Sequence, residues 1–173
     1  MQTSNSRART QGFTLVEVLV SLVILSMGLL GIAKLVLYSS HANDSAYLRS
    51  QATELAYAIL DNMRANRQQA LVQAYDVAVN TVPGSHGACV GAQCSPAALA
   101  LDDRNSWLAR VNVALPSGTA SVTTIPVAGT PTVTAGVTAV IKVQWDDAAA
   151  EAVFGGKPQN VSQWMNVTLE TVL

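Results

Sequence analysis

Charge is scarce in this chain. Only 12% of its 173 residues are Asp, Glu, Lys or Arg, about half of the ~25% usual in globular domains. The deficit is uneven: no charged residue occurs between Val18 and Ala33, and charges thin out again beyond position 76. A net charge of −1 argues against a nucleic-acid surface that works by bulk electrostatics. Two histidines and two cysteines leave little material for a metal centre or a catalytic triad, so no metal, no cofactor and no enzymatic activity are expected. Proline is missing before Pro83, and nothing in that stretch enforces a helix break. The length suits one ordinary domain plus an extended element, not two full domains.

What the chain does have is a polarity step near its N-terminus. Residues Gln2 to Gln11 are polar apart from Ala8, and their only charges are Arg7 and Arg9. An apolar run opens at Phe13 and continues through Leu37, interrupted only by Thr14, Glu17, Ser21, Ser26 and Lys34. As a helix rising ~1.5 Å per residue, such a run reaches about 37 Å, enough for a ~30 Å hydrocarbon core. Arg7 and Arg9 predict a cytoplasmic N-terminus by the positive-inside rule, with everything after Leu37 across the membrane. A cleaved signal peptide is the alternative, with Ser40-His41-Ala42 as its weak cleavage site, but the run is too long for one. An ordinary single-pass anchor is the other alternative.

Glu17 stands out on physical grounds. A carboxylate inside an apolar run costs up to ~2.5–3.5 kcal/mol at mid-membrane, less near the interface, and such a group usually has a partner. It could also snorkel to water.

The stretch Gly12-Phe13-Thr14-Leu15-Val16-Glu17-Val18-Leu19-Val20 resembles the processing motif of type IV pilins and pseudopilins. A basic leader ending in glycine, an aromatic residue next and an acid at the fifth position of the mature chain make a specific combination. The resemblance implies cleavage between Gly12 and Phe13 by a membrane aspartyl prepilin peptidase, then N-methylation of Phe13. It also implies that Glu17 meets the freed amine of a neighbouring subunit during filament assembly. The chain would be a substrate of that chemistry, not its catalyst.

Helical periodicity continues past the apolar run. Leu48, Ala52, Leu55, Ile59 and Met63 recur at steps of three and four, while Arg49, Glu54, Asp61, Arg64 and Arg67 occupy other faces. The pattern predicts one helix from about Phe13 to about Leu71, apolar over 13–37 and amphipathic over 38–72, after a leader at 1–12. Gly28 and Gly31 sit in the apolar half, where small residues favour close helix packing. Arg64 and Arg67 are cations near a helix C-terminus, favoured there by the macrodipole. Several segments look like the PilV minor-pilin group: Ile24 to Gly31, Arg49-Ser50-Gln51-Ala52, and Asn62 to Arg67. The similarity covers roughly the first 67 residues. The implied fold is α+β, a lollipop in which the long helix packs against a small antiparallel sheet in a head spanning 73–173.

Within that head, Val82 to Pro96 reads as a loop, and its glycines lack the lysine and spacing of a phosphate loop. Ser95 and Pro96 fit an N-cap and a first helical residue, starting a helix through Leu101, Trp107, Leu108 and Val111 that stops before Pro116. Asp102 and Asp103 read as its solvated face. Cys89 and Cys94, with four residues between them, suit a local disulfide if the head lies in an oxidising compartment. Two free thiols, or half of a zinc site with no second ligand pair nearby, are the other readings. Ala120–Val127, Val137–Trp145 and Val161–Leu173 read as strands, expected to pack on Leu55, Ile59 and Met63. Trp107, Trp145 and Trp164 are expected in the core. His41 is expected exposed on the helix and His86 in the loop. Asp146-Asp147 is weak material for calcium.

The implied function is a minor pilin in type IV pilus assembly, serving adhesion or twitching motility. Its location would be the inner membrane, with the head periplasmic, then the fibre or its tip. Partners would be the prepilin peptidase, other minor pilins, the major pilin, the inner-membrane assembly platform and a tip adhesin. A minor pseudopilin of type II secretion shares this architecture. A membrane-tethered periplasmic binding module is the alternative of a different class.

Overall fold

The computed structural model describes residues 12–127, 136–147 and 164–173. In chain order the elements are α1 (Leu15–Ala65), α2 (Arg67–Leu71), α3 (Pro96–Ala114), β1 (Thr119–Val127), β2 (Gly136–Asp146) and β3 (Trp164–Val172). The contacts divide the chain into two compact units, with the division between Ser40 and His41.

In the first unit every described residue up to Ser40 is exposed. This part of α1 is long and apolar enough to cross a membrane. Its backbone closes its own hydrogen bonds, as any chain in hydrocarbon must, and Ser21 and Ser26 do the same for their hydroxyls. Ser21 Oγ donates to the Glu17 carbonyl at 2.7 Å and Ser26 Oγ to the Val23 carbonyl at 2.8 Å.

The second unit holds the core. Ala52, Leu55, Ala56, Ile59, Leu60 and Met63 of α1 are buried, which is the expected stripe widened by its neighbours at 56 and 60. They share one hydrophobic cluster with Trp107, Leu108 and Val111 of α3 and with the inward row of the sheet. The sheet is antiparallel in the order β1-β2-β3. Strict alternation along β2 sends Val137, Ala139, Ile141, Val143 and Trp145 inward, as a sheet solvated on one face requires. Trp107 is fully buried and donates its indole N–H to the Leu55 carbonyl at 2.8 Å, joining α3 to α1.

The outer edge of β1 is covered by the segment that follows α2. Val77 bridges to Val122, and Asp76 accepts from the Thr124 amide at 3.1 Å and the Thr124 hydroxyl at 2.7 Å. Gln73 donates to the Thr124 carbonyl at 2.9 Å. Between α3 and β1 the turn is so tight that a side chain at Gly118 would lie 2.5 Å from the Val111 carbonyl oxygen, and only glycine fits.

Four expectations are corrected. The long helix is interrupted at Asn66, whose backbone leaves the helical region at φ −117° and ψ 49° while its side-chain Nδ2 donates to the Pro96 carbonyl at 2.7 Å. Hydrogen bonding to a distant part of the chain, not proline, makes this break. Trp164 is 47% exposed, because it pairs with Asp146 on the outward face, while Met165, opposite Trp145, takes the inward place. Asp102 is buried and Asp103 half-buried, so they are not a solvated face. His41 is on the helix but half-buried, whereas His86 is exposed in its loop as expected. The first three residues of the expected third strand, 161–163, lie outside the described residues.

Candidate functional site

The start of α1 carries the chemistry singled out by the sequence. Gly12, Phe13 and Thr14 precede the helix, and Phe13 is 81% exposed. Thr14 is the N-cap: its hydroxyl accepts from the Glu17 amide at 3.3 Å, and its carbonyl accepts from the Val18 amide at 3.2 Å. Thr14-Leu15-Val16-Glu17 is therefore the S/T-x-x-E spacing of a capping box, with its threonine half formed. Reading Thr14 only as an interruption of the apolar run overlooks this signal, which was present in the residue spacing.

Glu17 sits in the first turn of α1, where a carboxylate complements the positive end of the helix dipole. Among the described residues nothing donates to that carboxylate and no cation pairs with it. Phe13, Glu17, Val18, Ser21, Leu22 and Leu25 line a shallow recess on this helix face. Because the Ser21 hydroxyl turns back to its own helix, the recess is apolar apart from the carboxylate. Among the described residues, no base and no second carboxylate lines the recess. What it offers is one anionic acceptor in an apolar face, four residues from the Gly12–Phe13 junction.

The other sequence-selected pair lies far from this segment in the chain. Cys89 and Cys94 are joined by a disulfide with their Cα atoms 5.6 Å apart. The ring is fastened on both sides to α3. Asp102 Oδ1 accepts from the Ala88 amide at 3.1 Å, just before the first cysteine, and Ser95 caps α3 by accepting from the Ala98 amide at 3.3 Å, just after the second. Asn105 adds a bond to the Ser85 carbonyl at 3.1 Å. Asp147 of the Asp146-Asp147 pair is buried and accepts from the Ser45 hydroxyl at 2.7 Å. That carboxylate joins the end of β2 to α1, and no group of three metal-ligating side chains occurs among the described residues.

Residues 7–33 match the family model described as the prokaryotic N-terminal methylation motif. No curated protein and no solved structure matches the chain. The matched span takes in both basic residues before Gly12, the Gly12–Phe13 junction, the Thr14 cap, Glu17 and most of the exposed apolar run. Over these residues the chain is similar to type IV prepilin-like proteins of pili and pseudopili.

Proposed function

We propose that this chain is a minor pilin, cleaved after Gly12 by a prepilin peptidase, methylated at Phe13 and inserted into a type IV pilus through the apolar half of α1. The observation that carries this reading is Glu17: a carboxylate on an exposed apolar helix face with no partner among the described residues of its own chain. Cleavage at Gly12–Phe13 creates a cationic amine one residue before the Thr14 cap. There it sits at the positive end of the helix dipole, an unfavourable place for a cation. Pairing that amine with Glu17 of a neighbouring subunit neutralises both charges as the two apolar helices come together. In hydrocarbon each unpaired charge costs several kcal/mol on the scale of ~2.5–3.5.

The remaining assignments follow from that topology. Arg7 and Arg9 hold the N-terminus in the cytoplasm, and the unit from His41 onward lies in the periplasm, where a Cys89–Cys94 disulfide is at home. The PilV-like segments at Ile24 to Gly31, Arg49 to Ala52 and Asn62 to Arg67 favour a minor subunit over a major one. Partners are then the other minor pilins, the major pilin, the inner-membrane assembly platform and a tip adhesin. The chain acts by assembly and is a substrate of the peptidase, with no catalytic role of its own.

Mass spectrometry of the mature N-terminus tests the first step: the chain begins at methylated Phe13, whereas a start near Asn43 would mean ordinary signal-peptide cleavage. Glu17→Ala tests the second. The variant is expected to be processed but missing from sheared pili, and its presence there at the normal level would sink the pairing mechanism. A processed chain that supports secretion and is absent from wild-type pili would identify a pseudopilin of type II secretion instead.

A further inference from the structure

Three parts of the second unit meet at one phenol. Tyr75 is fully buried, and its hydroxyl lies 3.0 Å from Asp103 Oδ2 of α3 and 3.2 Å from the Asn62 carbonyl in the last turn of α1. The Asn62 carbonyl already accepts from the Asn66 amide at 3.0 Å, so the phenol would fill its second lone pair. A phenol has a single proton, and an ionised carboxylate has none to give. With Asp103 ionised, two acceptors therefore compete for one proton. With Asp103 protonated, two protons serve two bonds in series.

We propose that Tyr75 and Asp103 form an acid-set latch, in which protonated Asp103 donates to the Tyr75 hydroxyl and that hydroxyl donates to the Asn62 carbonyl, tying α3 to the end of α1. The charged and titratable surroundings fit this. Burial acts most strongly on Asp103 and raises its carboxyl above the ordinary aspartate range. The Tyr75 hydrogen bond and Arg110 offset this in part, and the Asp102 carboxylate adds to it. Burial likewise pushes the Tyr75 phenol up, against the influence of the nearby Asn66 side chain, so it keeps its proton at any ordinary pH. Arg104, next in α3, directs Nη1 to the Asp76 carbonyl at 3.2 Å.

The sign follows from linkage. A carboxyl raised in the folded state contributes stability that is complete below its unfolded value of ~3.9 and is lost as pH rises through its folded value. The latch therefore closes on mild acidification. Other groups of the chain titrate over the same range, so the latch shows as a difference between variants.

The experiment is thermal unfolding of the full chain in detergent micelles, comparing wild type, Asp103→Asn, Tyr75→Phe and the double variant. The amide of Asp103→Asn can donate to the phenol at every pH. Its melting midpoint should exceed that of wild type by a few degrees at about pH 7, and the gap should shrink towards about pH 4.5. In the Tyr75→Phe background Asp103→Asn should bring no such gain. A gap that is constant with pH, a gain that persists without the phenol, or a wild type more stable than Asp103→Asn at neutral pH would overturn the latch. Should Asp103→Asn fail to fold, carbon-13 titration of the Asp103 carboxyl in the wild-type chain decides. A midpoint clearly above ~3.9 supports the proposal, and one at or below it refutes it. None of these readouts depends on processing at Gly12, so their failure leaves the assembly reading untouched.

Discussion

The two stretches of α1, Leu15–Ser40 and His41–Ala65, share one secondary structure and differ in what satisfies it. In the first, Leu19, Leu22, Leu25, Leu29, Leu30 and Leu35 are all exposed. In the second, Leu55, Ile59, Leu60 and Met63 are buried against α3 and the sheet. Helices draw most of their stability from packing of an apolar face, since propensity alone is marginal. The second stretch therefore finds that packing within its own chain, whereas the first finds none among the described residues, which is consistent with a membrane anchor. The comparison teaches that hydrophobicity here marks two destinations. Leucines in steps of three and four point to an internal core, and leucines all round the helix point to a surrounding that the described residues do not supply.

The sharpest way to break this comparison is to remove one large side chain from each environment. Trp107 is fully buried and bonded to the Leu55 carbonyl, so Trp107→Ala should cost about 3–5 kcal/mol, enough to unfold a marginal domain. Leu25 is 58% exposed, and Leu25→Ala should change the stability of the second unit by less than ~0.5 kcal/mol. Urea unfolding of the full chain in detergent micelles, followed by near-ultraviolet circular dichroism, measures both. Comparable losses would mean that the apolar stretch contributes to the core after all.

The next effect concerns where the packed stretch begins. Ser45 donates to the buried Asp147 carboxylate at 2.7 Å, which joins α1 to the residue that follows β2. Ser45→Ala leaves a buried carboxylate without that donor, at a cost of about 1–3 kcal/mol. Amide exchange should locate the loss at the start of the packed stretch, near Leu48, with Ile59 and Met63 still protected. Uniform loss along the helix would show that the boundary between the two environments lies elsewhere.

Most of this division was legible from residue patterns, because burial here follows period. The 3.6-residue recurrence of Leu48, Ala52, Leu55, Ile59 and Met63 and the period of two in Val137–Trp145 each name an inward face. Ser95-Pro96 marked the start of α3 to the residue, since cap chemistry is local. What escaped depended on contacts distant in the chain. Asn66 breaks the helix through a bond to Pro96 thirty positions away, and Asp102 and Asp103 are drawn inward by the Ala88 amide and the Tyr75 hydroxyl. The covering of β1 by Gln73, Asp76 and Val77 has no local signature at all. Trp164 was misjudged for a different reason: the imperfect alternation of β3 left its parity open, and a shift of one residue moves a side chain to the other face. At the candidate site, the motif that holds Gly12, Phe13 and Glu17 is linear, so the sequence displays it directly. The capping role of Thr14 was equally local, and was hidden only by reading the run for hydrophobicity alone.

The smallest expected effect separates stability from assembly at the end of the packed stretch. Arg64 pairs with Asp61 at 3.2 Å, but the two side chains are 53% and 70% exposed. An exposed pair one helical turn apart contributes at most about 0.5 kcal/mol once solvent screening and side-chain entropy are counted. The place of Arg64 in the last turn of α1 adds only a screened interaction with the helix dipole. Arg64→Ala should therefore leave the urea midpoint of the second unit almost unmoved. If it also leaves the amount of the chain in sheared pili unchanged, Arg64 is a solvated helix end and nothing more. If that amount falls while the midpoint holds, the guanidinium touches another subunit. The exposed face of the packed stretch would then join the apolar stretch in having its partner outside the chain.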